Sequence, residues 1–338
     1  MRALVLGGSV FIGRQLVDTL LLRGDTVTVL NRGVTPTDLP AEGVERLYAD
    51  RNDLAGMAAV LGDRTWDAVF DVSGYVMVAG RVPPEQHLDL FRDRCDHYVY
   101  VSSIMAYDQT MIGIAPWFED YPTDRSGMQT YGGFKAVFEA ELLSRFERQQ
   151  FPATVVRPAH VYGPRNNIFD METPMFLRLE QGRPILLPHA GLVTAPYGHV
   201  EDLCELMVSL VGNRKAMGEV FNVSAGAVTT RRYVEILARI VGKEPDIVEV
   251  PDDRLSQLPP GVFGHLFSWR HHAIVSIDKA RRLLDFEPRY DIRGGHQHTY
   301  KWYQHRGYDL VDRPLSDPVW RASWNFDAEA AAAAMLRS

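Results

Sequence analysis

Short apolar runs recur through the first half of the chain, each cut off by small or polar residues and followed by a stretch whose apolar positions return with helical spacing. Ala3 to Leu6 is the first such run. Leu16, Leu20 and Leu21 then mark one face of a helix that ends near Arg23-Gly24. Thr26 to Leu30, Glu45 to Ala49, Ala68 to Val72, His97 to Val101 and Phe151 to Arg157 read as further strands. Apolar runs separated by helical patterns predict strands buried on both faces of a parallel sheet, so the fold class is α/β. Pro83 to Arg94 predicts a surface helix and Met128 to Gln150 a longer amphipathic one. Beyond the sixth strand the pattern turns irregular, with helices over Phe169 to Gln181, Glu201 to Val211, Thr230 to Val241, Asp278 to Leu284 and Gly295 to His305 and short strands between them. Leu258-Pro259-Pro260-Gly261 reads as loop or lid material. Asp327 to Leu336, with five consecutive alanines, has high helix propensity and little bulk, and predicts a loosely docked terminal helix.

Composition narrows the picture. With 338 residues and 46% hydrophobic content the chain can bury a sizeable core, as one large domain or two coupled ones. A formal net charge of -7 offers no general attraction to nucleic acid or an anionic membrane. The two cysteines, Cys95 and Cys204, are too few for a disulfide framework, and the chain enters its first strand without a secretory apolar segment. Its apolar runs are too short to span a bilayer. A cytoplasmic, reduced protein is the expectation.

The first strand runs straight into Gly7-Gly8-Ser9-Val10-Phe11-Ile12-Gly13 and then the first helix. Strand, glycine turn and helix together suit a dinucleotide, because the turn and the helix N-terminus aim backbone N–H groups at a pyrophosphate. By spacing alone the glycines are weak evidence, since Val10 stands where a G-x-x-G-x-x-G pattern wants its middle glycine. After the second strand comes Asn31-Arg32, where a fold preferring NAD usually carries an acidic residue for the ribose 2′-hydroxyl. Arg32 either pairs with a 2′-phosphate, which leans the choice between NAD and NADP towards NADP, or is a solvated loop arginine. Asp50-Arg51 and Ser73-Gly74, at the ends of the third and fourth strands, are placed to border the cofactor.

Tyr131-Gly132-Gly133-Phe134-Lys135 carries the candidate chemistry. Residues four apart on a helix share a face, and a cation beside a phenol, which titrates near ~10, favours the phenolate. Taken alone, the pair usually means an ordinary aromatic and a solvated lysine. The fifth strand ends at Ser102-Ser103, and a hydroxyl at the carboxyl end of such a strand is well placed for a ligand. His271, His272, His296 and His298 lack the Cys, Asp or Glu spacing of a metal site and read as surface or packing residues. Tyr300, Trp302, Tyr303 and Tyr308 read as packing of a late helix, with base stacking a secondary possibility.

With the glycine turn, Tyr98-Val99-Tyr100-Val101-Ser102-Ser103, Tyr131-x-x-x-Lys135, Arg157-Pro158-Ala159-His160-Val161-Tyr162-Gly163-Pro164, His199-Val200-Glu201-Asp202-Leu203 and Gly218-Glu219-Val220-Phe221-Asn222-Val223 in sequence, the chain resembles the extended short-chain dehydrogenase/reductases of the epimerase/dehydratase group. Within it, Asn31-Arg32-Gly33, Tyr197-Gly198-His199-Val200, Ser276-x-x-Lys279-Ala280 and Phe286-x-Pro288 look most like the branch containing chloroplast stem-loop RNA-binding proteins and their bacterial relatives. The resemblance implies a Rossmann-type doubly wound parallel sheet over residues 1–165, a smaller interleaved C-terminal substrate domain over 166–310, a C-terminal extension over 311–338, and a homodimer. It implies catalytic roles for Ser103, Tyr131 and Lys135. Cofactor contacts would come from Gly7, Gly8, Ser9, Phe11, Ile12, Gly13, Asn31, Arg32, Asp50, Arg51, Ser73, Gly74, Tyr131, Lys135 and Pro158.

Departures from that pattern bear on the reaction. Ile104-Met105 stands where dehydratases of the group carry Asp-Glu, which disfavours an ordinary dehydratase, although Asp108, Glu119 or Asp120 could act from a loop. Ala195 replaces an arginine that grips the diphosphate of a sugar nucleotide, and His160 replaces an asparagine near the same group. Substrate contacts are expected from Ser103, Met105, His160, Asn167, Tyr197 and Arg270, with Arg165 as a further replacement. The resemblance thus implies an NAD(P)-dependent enzyme on a sugar, nucleotide-sugar or nucleoside substrate, first an epimerase working through a transient ketone. A reductase, an atypical dehydratase and a non-catalytic nucleotide- or RNA-binding protein stand as alternatives.

Overall fold

The computed structural model describes residues 1–35, 37–73, 82–108, 110, 114–166, 171–259, 262, 271–308 and 325–338. In chain order the first half gives β1 (Arg2–Leu6), α1 (Phe11–Leu22), β2 (Thr26–Asn31), β3 (Val44–Tyr48), α2 (Leu54–Leu61), β4 (Ala68–Asp71), α3 (Pro84–Asp89), β5 (Tyr98–Val101), α4 (Tyr131–Gln149) and β6 (Ala153–Pro158). The second gives β7 (His160–Tyr162), α5 (Glu172–Glu180), β8 (Pro184–Pro188), β9 (Thr194–His199), α6 (Val200–Leu210), β10 (Val220–Val223), β11 (Gly226–Thr229), α7 (Thr230–Val241), β12 (Asp246–Val250), α8 (Asp278–Leu284), α9 (Ile292–Arg306) and α10 (Phe326–Arg337). Two compact units interleave along the chain: 1–159, 200–224 and 275–288 form one, and 160–199, 225–274 and 289–338 form the other.

The first unit is a seven-stranded sheet in the order β10-β6-β5-β4-β1-β2-β3, parallel throughout. Its central strands are buried along almost their whole length, which accounts for their unbroken apolar sequence. Strand order reverses between β1 and β4, and the carboxyl ends of these two strands open the crevice where such folds bind ligands. Beneath the sheet Leu4, Val69, Tyr98, Tyr100, Phe134, Phe138 and Leu142 pack in one core cluster. The helix expected over Pro83 to Arg94 closes at Asp89; Asp93 takes a left-handed φ of 57°, which no helix continues.

The second unit holds two small sheets, β11-β9-β7 and β12-β8. Tyr162, Phe176, Tyr197, Tyr233, Tyr300 and Tyr303 belong to its main core cluster. α9 starts three residues before the expected Gly295, because the Asp291 carboxylate accepts the Gly294 N–H at 2.6 Å and caps it. The described part of the helix expected over Phe169 to Gln181 is α5. α10 is anchored, not loose. Glu329 forms a buried two-pronged ion pair with Arg178 at 2.8 and 2.9 Å, the Phe326 ring lies against the guanidinium groups of Arg178 and Arg183, and Ala332 and Ala333 pack on the apolar residues of β8 and β12. The alanine run leaves a face low enough for close docking, and Glu329 supplies a charge that Arg178 pairs with.

Among the described residues four histidines are buried and held neutral: His87 and His97 in the first unit, His199 and His296 in the second. Burial pushes His97 down to about 4, His296 to about 3 and His199, which also faces His298, to about 2. Burial and then repulsion from Arg51 push His87 to about 3. In the unfolded chain these rings protonate near ~6.5. Their preference for the folded state is therefore whole above that pH and drains as pH falls from there towards the folded values. Unfolding near pH ~5 should take up about four protons from these rings. The check is the urea midpoint against pH; a midpoint that stays level between neutral pH and ~5 would remove the effect.

Candidate functional site

The turn between β1 and α1 is built around close backbone approaches. Gly7 has φ +93°, and a Cβ there would lie 2.8 Å from Cβ of Ser73, the residue that follows β4 by two. A Cβ on Gly13 would sit 2.1 Å from the Gly7 carbonyl oxygen, and one on Gly8 would meet Val29 at 2.9 Å. Only glycine lets the turn, the sheet and the helix close on one another in this way. α1 opens at Val10, whose side chain has no oxygen to cap it, and has no acidic residue in its first turn. A pyrophosphate is thus offered a positive helix end without a competing carboxylate, and the residues present fit a dinucleotide.

Around the cradle the structure places four of the residues expected to contact a cofactor. Asn31 closes β2, with Nδ2 donating to Ser9 Oγ at 2.8 Å and Oδ1 accepting the Gly33 N–H at 2.7 Å; Arg32 beside it is exposed. A neutral amide thus stands where a carboxylate would select the 2′-hydroxyl. Asp50 accepts the Asn52 N–H, and Pro158 closes β6. Arg51 is held by the end of β4. Its guanidinium turns inward, forks onto the Asp71 carboxylate at 2.9 and 3.0 Å, and donates to Ser73 Oγ. Gly74, Asn167 and Arg270 lie outside the described residues.

Ser103, Tyr131 and Lys135 come from β5 and α4. Ser103 Oγ accepts the Met105 N–H at 3.1 Å and so caps a single turn over Ile104–Ala106; its own O–H is left to donate. Tyr131 is the first residue of α4, where the helix end favours negative charge, and Thr130 caps that end by accepting the Gly133 N–H at 3.0 Å. Lys135 is buried. Its Nζ donates to the Val101 carbonyl at 2.6 Å and lies 4.7 Å from the Tyr100 ring centroid and 5.7 Å from that of Tyr131. Gly132 draws the catalytic helix onto the Ser103 turn: a Cβ there would fall 2.1 Å from the Met105 carbonyl oxygen and 2.9 Å from Asp124 Oδ2. The sequence reading passed over Gly132 and Gly133 as spacers, although two glycines in the first turn of a helix cost stability and so mark a close approach.

Of the loop carboxylates weighed as replacement acids, Asp120 is exposed and two are engaged. Glu119 Oε1 accepts the Asn222 N–H at 3.0 Å, and Asp108 Oδ1 accepts from Thr110. Met105 presents its carbonyl to α4, as above. In the second unit, His160 Nδ1–H donates to the Pro196 carbonyl at 2.9 Å, which in the neutral ring places the lone pair on Nε2. Tyr197 is His160's register partner, but its ring is wholly buried and stacks on Tyr233 with centroids 4.7 Å apart. Ala195 lies buried in β9, where it pairs with Val228. His296 stacks on Tyr162 at 3.7 Å, and His298 Nδ1 is 3.4 Å from His199 Nε2. Among the described residues no group of three or more His, Cys, Asp or Glu side chains could hold a metal ion, and no helix is long and apolar enough to cross a membrane.

A doubly wound parallel sheet with a glycine cradle at its switch point and a Ser, Tyr and Lys set beside it defines a dinucleotide-dependent short-chain dehydrogenase/reductase architecture. The NAD dependent epimerase/dehydratase family matches residues 3–224, and the chain belongs to that family. The chloroplast stem-loop binding protein of 41 kDa b from Arabidopsis thaliana is 29% identical over 316 residues, 88% of this chain and 78% of its own. UDP-N-acetyl-alpha-D-glucosaminuronate decarboxylase from Bacillus cytotoxicus is 22% identical, covering 90% of this chain and 98% of its own. Among solved structures, UDP-glucose 4-epimerase with UDP-glucose from Thermotoga maritima superposes with a TM-score of 0.75 at 20% identity, over 90% of this chain and 99% of that one.

Proposed function

We propose that the chain is an NAD(P)-dependent epimerase of a nucleotide sugar or related sugar derivative, acting through a transient ketone. The observation that carries this reading is Lys135, buried against Val101 and over the Tyr131 ring, with Tyr131 at the helix end beside the Ser103 turn. A bound nicotinamide supplies hydride acceptance and return. Tyr131 takes the proton of the carbinol oxygen, Ser103 donates a hydrogen bond to that oxygen, and Lys135 stabilises the phenolate. Return of the proton from Tyr131 to the ketone oxygen, as the ketone is reduced on its opposite face, would complete a redox-neutral cycle. Ile104 and Met105 bring no carboxyl group to the turn after Ser103, and Glu119 and Asp108 are engaged, which supports epimerisation over dehydration. Relatives named for UDP-sugar substrates support the substrate class.

The test is to incubate the protein with UDP- and dTDP-hexoses and either cofactor, and to resolve the products. A stereoisomer without net NAD(P)H supports the reading. Steady NAD(P)H consumption would indicate a reductase, and loss of water a dehydratase. The relative named for stem-loop binding favours a second reading, an RNA-binding protein. Salt-sensitive RNA binding untouched by Lys135→Met, with no sugar turned over, would establish it.

Arg32, exposed beside the amide of Asn31, leans this reading towards NADP over NAD. Arg32→Glu is expected to weaken NADP+ binding by roughly 10–100-fold, the worth of a charge-assisted hydrogen bond, while NAD+ binding changes little. Fluorescence titration with both cofactors checks it; an unchanged preference would make Arg32 a solvated loop residue.

A further inference from the structure

One cluster of buried charge in the first unit reaches Lys135 but otherwise has no part in the reaction as proposed. Asp71 closes β4, Arg51 follows β3, His87 lies on α3, Tyr98 and Tyr100 on β5 and Lys135 on α4. The Asp71 carboxylate is fully buried. Besides the Arg51 fork it accepts the Tyr98 hydroxyl at 2.9 Å, and His87 Nε2, 3.7 Å away, accepts from Arg51 Nη2 at 3.2 Å. Tyr100 is the register partner of Asp71 and points to the same side of the sheet as Tyr98. Its ring stacks on Phe138 at 4.3 Å, and the Lys135 ammonium sits over it at 4.7 Å. Asp71 is thus one residue layer from Lys135.

An ammonium buried this deeply is costly unless a negative charge shares its low-dielectric surroundings. Burial alone would push the Asp71 carboxyl up, but Arg51 and then Lys135 hold it well below the usual carboxylate range. The groups that face this layer are Arg51, His87, Tyr98, Tyr100 and Lys135, with Tyr131 and Glu139 of α4 acting on Tyr100. Glu139 is itself paired with Arg157 at 2.6 Å, whereas the charge of Lys135 acts on Asp71 alongside that of Arg51.

We propose that Asp71 is the buried counter-charge of Lys135, a positioning residue locked by Arg51 and Tyr98 that sets the charge balance at Tyr131. The inference rests on the reading of Tyr131 and Lys135 as the acid/base pair. It gives the two charges of the fork opposite effects. Asp71→Asn removes a negative charge and eases ionisation of Tyr131; Arg51→Gln removes a positive one and hinders it.

The experiment needs neither substrate nor cofactor. Ionisation of tyrosine is followed by the ultraviolet absorbance of tyrosinate, with each protein measured with and without Tyr131→Phe so that the difference isolates Tyr131. Burial holds Tyr98 and Tyr100 well above the ordinary value and Tyr107 up to about 12, so these rings titrate late. Tyr131 is expected to ionise below ~10, earlier by about one pH unit in Asp71→Asn and later by a similar amount in Arg51→Gln. No shift, or shifts of one sign, would overturn the counter-charge, because a merely structural role has no reason to split in direction. Should Asp71→Asn fail to fold, Arg51→Gln decides alone: a later titration supports the proposal, and an earlier or unchanged one overturns it. If Tyr131 itself ionises no earlier than a free phenol, the acid/base reading falls and takes the counter-charge with it.

Discussion

Tyr131→Phe is expected to lower turnover of a competent nucleotide sugar by roughly 10²–10⁴-fold, the ordinary worth of a positioned acid/base group, while NAD(P) affinity stays within about threefold. The asymmetry follows from what the substitution leaves in place. The ring of Tyr131 still lies near the Lys135 ammonium, the Lys135 bond to the Val101 carbonyl does not involve the phenol, and Thr130 still caps α4. Only the group that takes and returns a proton is gone. Lys135→Met is the contrasting variant, because it removes the charge that favours the phenolate and a donor beside the cradle, so affinity and turnover should fall together. Steady-state rates with cofactor titrations separate the two. A Tyr131→Phe enzyme that keeps its turnover within about fivefold would place the proton elsewhere and remove the mechanism.

How much of this was legible in sequence depends on how local the cause is. The strands of the first unit were readable because a parallel sheet buried on both faces demands unbroken apolar runs, and Ala3 to Leu6 or Ala68 to Phe70 can hardly be anything else. The cradle was readable because Gly7, Gly8 and Gly13 answer to steric limits within a single turn. The direction of Arg51 was not readable, for the opposite reason. Its direction is set by Asp71, twenty residues away, and no local pattern links the two. The available signal was an acid closing the otherwise apolar Ala68-Val69-Phe70-Asp71, since a charge at the end of a buried strand needs a partner. The same holds for α10, whose composition suggests a free helix until Arg178 supplies an ion pair from 151 residues upstream. In the second unit, Tyr197 looked like a ligand contact from its place in a motif. Its stacking on Tyr233 came from α7, a helix that the motif does not include.

The buried pair of Arg157 and Glu139 carries the second large expectation. Arg157 on β6 forks onto Glu139 of α4, with Nη2 at 2.6 Å and Nε at 3.1 Å from both oxygens, and its Nη1 donates to the Glu119 carbonyl at 3.0 Å. The guanidinium lies 4.5 Å from the Tyr107 ring centroid, and the Tyr107 hydroxyl donates to Asn222 on β10 at 2.8 Å. Glu139 is one helical turn beyond Lys135, so this pair ties the catalytic helix to the sheet. Arg157→Met leaves a carboxylate buried without its partner and is expected to cost ~3–5 kcal/mol of stability, read from the urea midpoint and slope. Arg157→Met combined with Glu139→Leu should cost far less, because two charges that needed each other are then both absent. The difference between the double variant and the sum of the singles measures the coupling, expected at several times the few tenths of a kcal/mol seen for independent sites. Additive costs would mean that α4 is held by its apolar face alone. A strong coupling would instead make the angle of Tyr131 and Lys135 over the sheet a consequence of one ion pair, and the double variant, stable but without that clamp, should then lose turnover more than it loses stability.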